Sequence, residues 1–318
     1  MFTIKTEPFG KFSQVKLINT ATGEYVALIP DYGACLNSLV LKKNDRLYDL
    51  IDGSENFEQL MEVGTPYYKG MVLFPFPNRI KDGKYTFEGQ SYQFETNESA
   101  NNNALHGLVA HSKFTVKKFE SNDDCAVLEL IHHESGVNKA YPFKCSLAIT
   151  YILSSKSELI CKAFVKNEDT KNLPVGVGWH PYFKAVGKMD TMEMHIPTED
   201  MLEVDARMNP TGTILKGHPF IAGNLIGEAK LDTGFKFSGE DGIQTTVLTD
   251  SQNEISVKVW QQTGKNKLNY CQYYIPAHRK SIAIEPMSCP ADAFNSGSGL
   301  IVLAPSEHAE FDFGVVLG

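Results

Sequence analysis

The stretch Leu147-Ala148-Ile149-Thr150-Tyr151-Ile152-Leu153-Ser154-Ser155-Lys156-Ser157-Glu158-Leu159-Ile160-Cys161-Lys162-Ala163-Phe164-Val165-Lys166 holds two runs of period-two alternation around a turn. In an extended chain Leu147, Ile149, Tyr151 and Leu153 share one face. Ser154-Ser155-Lys156-Ser157 is a cluster of turn formers. After it, Leu159, Cys161, Ala163 and Val165 alternate with Lys162 and Lys166. One apolar face per run, rich in β-branched and aromatic residues, predicts an antiparallel hairpin with one side buried.

The pattern extends outward in both directions. Ala126, Leu128 and Leu130 alternate with Val127, Glu129 and Ile131. Lys84 to Phe94 reads as a second hairpin, with Tyr85 and Phe87 outbound, Glu88-Gly89-Gln90 turning, and Tyr92 and Phe94 returning. Short strand-like runs follow at Glu254–Trp260, Tyr270–Ile275, Ser281–Glu285, Leu300–Leu303 and Ala309–Val315. Only Ser54–Val63 has helical spacing, through Phe57, Leu60 and Met61, with Ser54 as the expected N-cap. Many short strands and little helix predict an all-β sandwich or barrel of mostly antiparallel strands. No linker, charge run or repeat divides the chain, so one domain is expected over 1–318. A wide concave sheet face is a natural seat for a small polar ligand such as a sugar.

Composition narrows the partners. The 318 residues are 42% apolar, and the formal net charge is -8. An acidic chain argues against general binding to nucleic acid or to an anionic membrane. Cys35, Cys125, Cys145, Cys161, Cys271 and Cys289 lack any CxxC or tight pairing. They read as reduced, mostly buried thiols of a cytoplasmic protein, not as a disulfide framework or zinc site. The first residues lack an apolar leader core, and no apolar run is long enough to span a bilayer. The expectation is a cytoplasmic monomer or homodimer.

Several polar residues break the alternation. Gly176-Val177-Gly178-Trp179-His180-Pro181-Tyr182-Phe183 sets an imidazole between glycines and a proline. The glycines permit close backbone approach, and Pro181 biases His180 toward an extended backbone. The segment reads either as a cleft where a proton moves or as a packed strand end. Phe74-Pro75-Phe76-Pro77-Asn78-Arg79-Ile80 places an amide beside a guanidinium, a pair able to fork onto hydroxyls or a carboxylate, or to sit idle in a loop. In Asn101-Asn102-Asn103-Ala104-Leu105-His106-Gly107, Gly107 leaves room beside His106. His111, five residues on, falls on the opposite face of an extended chain, so no metal pair is read there. The doublet His132-His133 reads as a solvated strand end for the same reason. Leu231-Asp232-Thr233-Gly234 puts a carboxylate beside a turn glycine, a common Asx-turn pattern. In Ser281-Ile282-Ala283-Ile284-Glu285-Pro286, Glu285 ends an apolar run that Pro286 is expected to stop or bend. A carboxylate so placed is either a desolvated, strengthened base or half of an edge salt bridge.

Taken in order, these segments resemble the aldose 1-epimerase (galactose mutarotase) family. The likeness is carried by Pro77-Asn78-Arg79-Ile80 with Gly83-Lys84-Tyr85-Thr86-Phe87, by Asn103-Ala104-Leu105-His106-Gly107 and by Gly178-Trp179-His180-Pro181-Tyr182-Phe183. Pro210-Thr211-Gly212, Leu231-Asp232, Ile284-Glu285-Pro286 and Leu300-Ile301-Val302-Leu303-Ala304-Pro305 complete it, from about Val15 to the end. The resemblance implies a one-domain β-supersandwich that binds a monosaccharide on its concave face without a cofactor; the histidine spacings themselves offer no convincing metal site. It implies Glu285 as catalytic base and His180 as catalytic acid, with Arg79, His106 and Asp232 contacting the sugar and Asn78 beside them. Anomer exchange of a free hexose is the activity implied. A hexose-6-phosphate 1-epimerase and a non-catalytic carbohydrate-binding protein are the alternatives on the same scaffold. Trp179 and Phe183 read equally as a platform for the sugar's C–H face or as core. Two departures, Leu108-Val109-Ala110-His111 in place of a double glycine and Met287-Ser288-Cys289-Pro290 after Pro286, mark a divergent branch.

Overall fold

The computed structural model describes residues 1–184 and 187–318. The quoted stretch forms strands Lys144–Ser154 and Glu158–Asn167, with Leu147 opposite Val165 and Leu153 opposite Leu159. Leu147, Ile149, Tyr151, Leu153, Leu159, Cys161 and Val165 are fully buried, as the alternation requires. Burying an aliphatic side chain of this size stabilises by roughly 1.5–3 kcal/mol, so the apolar face sets the register.

This hairpin sits within a nine-stranded sheet. Its order is Thr115–Ser121, Cys125–Ser135, Lys144–Ser154, Glu158–Asn167, His308–Leu317, Ile255–Thr263, Gly242–Asp250, Glu193–His195 and Asn224–Leu225. An eight-stranded sheet runs Pro210–Lys216, Asp200–Val204, Asp232–Lys236, Tyr270–Tyr274, Ser281–Met287, Gly178–Trp179 and Val72–Leu73, with Tyr182–Lys184 also paired to Ser281–Met287. The two sheets meet where Trp179 packs on Phe313, ring centroids 5.1 Å apart, and where the Tyr273 and Thr246 hydroxyls lie 2.5 Å apart. An N-terminal meander of five antiparallel strands, Phe2–Phe9 through Arg46–Asp49, packs beside them, tied by the Tyr151 hydroxyl donating to the Ala34 carbonyl at 2.8 Å. The architecture is an all-β sandwich of antiparallel ladders.

Three local expectations change. The Ser54–Val63 region is one short helix, Phe57–Gln59, running into a wide π-type turn at Leu60–Gly64. Its cap is Asn56, whose side chain accepts from the Gln59 amide at 2.9 Å, while Ser54 is engaged with Asn37. Pro286 does not stop its strand, which continues to Met287. Ile284 and Ser288 donate backbone N–H groups toward Pro181 and Val177, so position 286 faces the same segment. That segment is interrupted between Gly178–Trp179 and Tyr182–Lys184, and the missing proline N–H falls at the gap. Gly234 is not a turn residue: it lies inside Asp232–Lys236, opposite Gln272. Five of the six cysteines are buried and all six are free, and among the described residues no helix is long and apolar enough to cross a membrane.

Candidate active site

Two close approaches build the site. A Cβ on Gly176 would lie 2.5 Å from Cys289 Sγ and 2.9 Å from Pro77 Cδ, and one on Gly178 would lie 2.7 Å from Pro77 Cβ. Only glycines let the Pro77-Asn78-Arg79 segment lie against the strand that leads into His180. Gly107, at φ +70°, makes the second approach, for a Cβ there would lie 2.2 Å from the Phe74 carbonyl oxygen. Asn78 and His106 both adopt left-handed backbone, at φ +58° and +61°. This lets them interlock: the His106 amide donates to the Asn78 carbonyl at 2.8 Å, and the Asn78 amide donates to His106 Nδ1 at 3.2 Å. Since Nδ1 accepts, the proton of neutral His106 sits on Nε2.

The carboxylates come from neighbouring strands. Glu285 pairs in register with Gln272, whose strand also pairs with Asp232–Lys236. Gln272 Nε2 donates to Asp232 Oδ1 at 2.6 Å. Arg79 is drawn toward the group from its own short strand, Arg79–Lys81, paired with Asn103–Leu105. Its guanidinium donates through Nε and Nη2 to Glu98 at 2.8–3.1 Å and through Nη1 to Asn78 Oδ1 at 3.1 Å, and it stands 4.0 Å from Asp232.

Asn78, Arg79, His106, His180, Asp232 and Glu285 all line one cavity of about 210 Å³. Six residues spread over more than two hundred positions of sequence thus converge on one polar cleft, small as ligand sites go. His180 Nε2 lies 3.4 Å from Glu285 Oε1, and both side chains are almost wholly buried. Their other polar atoms, His180 Nδ1 and Glu285 Oε2, have no hydrogen-bond partner among the described residues. Burial pushes His180 down to about 3. Burial also drives the Glu285 carboxyl well above its ordinary range, reinforced by the Asp232 charge and opposed by Arg79. Burial, together with His180, Arg79 and His111, holds His106 well below its ordinary value. The cleft therefore contains a strengthened carboxylate base and a neutral imidazole in hydrogen-bond reach of a common ligand.

Of the remaining lining, the sequence pointed to Tyr182 only, as a neighbour of His180. Tyr67, Tyr68, Tyr182, Gln272 and Tyr274, with Pro66 and Leu105, complete the wall. Gln272 was detectable as the one amide in the run Tyr270-Cys271-Gln272-Tyr273-Tyr274; Glu98 carries no such signal. Trp179 and Phe183 do not line the cavity and are buried in the core. The period-two pleat explains this, since it turns His180 and Tyr182 to the cleft and Trp179 and Phe183 to the opposite side. His180 and Tyr182 stack, with ring centroids 5.1 Å apart and an interplanar angle of 15°. The Tyr68 ring lies between His106 and His111, with centroids 4.6 and 5.1 Å away. Among the described residues no group of three or more His, Cys, Asp or Glu is placed to hold a metal ion.

A sandwich of antiparallel sheets with this polar cleft matches one family along almost its whole length. The chain belongs to the aldose 1-epimerase family, whose sequence model it matches over residues 15–315. It is 28% identical over 307 residues to the uncharacterised protein YihR of Escherichia coli K12, covering 94% of this chain and 92% of that one. A galactose mutarotase-like protein from Clostridium acetobutylicum shares the fold with a TM-score of 0.88 at 23% identity, over 100% of this chain and 98% of the other. Galactose 1-epimerase from Lactobacillus acidophilus aligns with a TM-score of 0.81 at 16% identity, over 100% and 98% of the two chains.

Proposed function

We propose that the protein is an aldose 1-epimerase that interconverts the α and β anomers of a free hexose, with Glu285 as base and His180 as acid. The observation that carries this reading is the facing pair itself: two buried titratable groups 3.4 Å apart, each with one polar atom that has no partner among the described residues, on the wall of a small cleft. In the ring-opening direction ionised Glu285 takes the proton of the C1 hydroxyl while protonated His180 gives its proton to the ring oxygen. The C1–O5 bond breaks, and the electron pair of the former O1–H bond becomes part of the aldehyde C=O. Rotation about C1–C2 presents the other face, and reclosure reverses both transfers. Each positioned acid or base step contributes roughly 10²–10⁴-fold.

One proton shared by the pair is enough for the whole cycle. With the sugar open, it sits on Glu285 and His180 is neutral, which is the distribution that burial favours in both groups. Arg79 keeps two unused N–H donors for sugar oxygens, and the Asp232 carboxylate accepts from hydroxyls. His106 offers Nε2–H. A fixed set of this kind orients the ring without rearranging during the reaction. A free sugar fits better than a phosphorylated one because, among the described residues, Arg79 is the only Lys or Arg lining the cavity, and Glu98 already occupies it. The test is two-dimensional exchange NMR of D-glucose and D-galactose. Anomeric cross-peaks that grow with protein concentration are expected; sugar that binds without added exchange would make the protein a binding module.

A further inference from the structure

Glu98 is outside the cavity lining, yet it holds the largest share of the Arg79 guanidinium. Three of the five N–H donors of Arg79 are committed, two to Glu98 and one to Asn78, which leaves one on each terminal nitrogen. Both oxygens of Glu98 are engaged in turn. Oε1 accepts from Arg79 and from Asn101 Nδ2 at 2.9 Å, and Oε2 accepts from Arg79 Nε and from Asn103 Nδ2 at 3.0 Å. Asn103 is completely buried, and its Nδ2 also donates to the Arg207 carbonyl at 2.9 Å. Asn209 Nδ2 reaches Asn103 Oδ1 at 3.3 Å. Glu98 is thereby anchored to the turn that joins Asp200–Val204 to Pro210–Lys216, and through Glu98 so is the Arg79 fork.

The charges follow from the same contacts. Burial pushes the Glu98 carboxyl up, but the hydrogen bonds from Arg79, Asn101 and Asn103 outweigh it and hold the group below its ordinary range, ionised at neutral pH. Among the described residues Arg79 is the only Lys or Arg on the wall, and Glu98 pairs with it at 2.8 Å. Asp232 shares that already neutralised guanidinium at 4.0 Å, and burial favours the protonated form of Glu285. An anionic sugar entering here meets the Asp232 carboxylate and, among the described residues, no Lys or Arg other than the one Glu98 already holds.

We propose that Glu98 is a positioning and specificity-determining residue that fixes the Arg79 fork and neutralises it, so that the cleft selects neutral aldoses over anionic ones. This rests on the site binding sugars and names the substrate class of that site. It assigns two separable tasks to one carboxylate. Its length sets where the two remaining Arg79 donors point, and its charge sets which sugars are admitted.

Three proteins separate the tasks: wild type, Glu98→Gln and Glu98→Asp, each first checked for a native-like melting transition. Binding of D-glucose and sodium D-glucuronate at pH 7 is measured by isothermal titration, and anomer exchange is followed by NMR on the same samples. Wild type is expected to prefer glucose. Glu98→Gln keeps the shape and one acceptor but uncovers the Arg79 charge, so the ratio of glucuronate to glucose affinity rises by about tenfold, the effect of one unit charge across roughly 10 Å at a protein-like dielectric. Glu98→Asp keeps the charge and shortens the reach, so its affinity ratio stays near wild type while turnover falls. A merely structural Glu98 would weaken both sugars equally in Glu98→Gln, and an unchanged ratio overturns the inference. Sugar binding with the predicted ratios but no anomer exchange would sustain the inference while refuting the epimerase activity. Binding of neither sugar to any of the three proteins would overturn both.

Discussion

Replacing Gly178 by alanine is expected to separate the two halves of the cleft while leaving every candidate catalytic group in the chain. The added methyl would stand 2.7 Å from Pro77 Cβ, with Leu73 Cδ1 and Met287 Cγ each 3.4 Å away on other sides. Carbon atoms in contact prefer about 3.5–4.0 Å, so the neighbours must yield by roughly 1 Å. Gly178 is held between Leu73 and Met287 by strand pairing on both sides, whereas Pro77 lies on an irregular segment. The displacement therefore falls on Pro77 and on the Asn78-Arg79 pair that follows it. Overpacking of this kind destabilises by about 1–3 kcal/mol, and a 1 Å misplacement of a positioning group lowers turnover by on the order of 10²-fold. Anomer-exchange rates under saturating sugar read the second effect, and thermal unfolding reads the first. Gly242→Ala is the control, because a methyl there meets nothing nearer than Thr263 Oγ1 at 4.0 Å. Full turnover in a normally folded Gly178→Ala protein would refute the claim that this close approach positions Arg79.

Two further outcomes follow from burial. His180 has a folded-state value near 3 against an ordinary 6.5, so the unfolded chain binds the extra proton first and stability falls as pH drops from 6.5 toward 3. By pH 5 that loss amounts to about 2 kcal/mol, and His180→Asn should flatten it in urea unfolding; an unaltered pH slope would show that another group is responsible. Trp179→Phe should lower stability by about 1–3 kcal/mol through lost packing against Phe313 while leaving the Michaelis constant for the sugar within about twofold, since Trp179 is in the core and off the cavity wall. A rise in the Michaelis constant without loss of stability would return Trp179 to the sugar's side.

Alternation made the sheets readable because a strand with one buried face repeats every two residues, as Leu147 to Val165 do on both sides of their turn. The same period in Gly178 to Phe183 was available to separate His180 and Tyr182 from Trp179 and Phe183, though the aromatic content masked it. Asn78, Arg79, His106, His180, Asp232 and Glu285 were legible as polar interruptions at glycine- or proline-marked positions. What was not legible is how they are held. Glu98 sits in an irregular segment with no periodicity, and its value comes entirely from Arg79, Asn101 and Asn103 converging on it. Pro286 misled for a related reason. A proline ends a strand when its absent N–H would break a ladder, and whether the neighbouring segment has a gap at that point is a tertiary fact.

The most direct test of the central claim is the optical rotation of freshly dissolved α-D-glucose and α-D-galactose, followed with wild type, Glu285→Gln and His180→Asn. Wild type is expected to hasten the approach to the equilibrium rotation for at least one of these sugars, and each substitution to reduce that acceleration by roughly 10²–10⁴-fold. Acceleration that persists in Glu285→Gln would contradict the assignment of the base, and no acceleration by folded wild-type protein with either sugar would contradict the proposed activity on these hexoses.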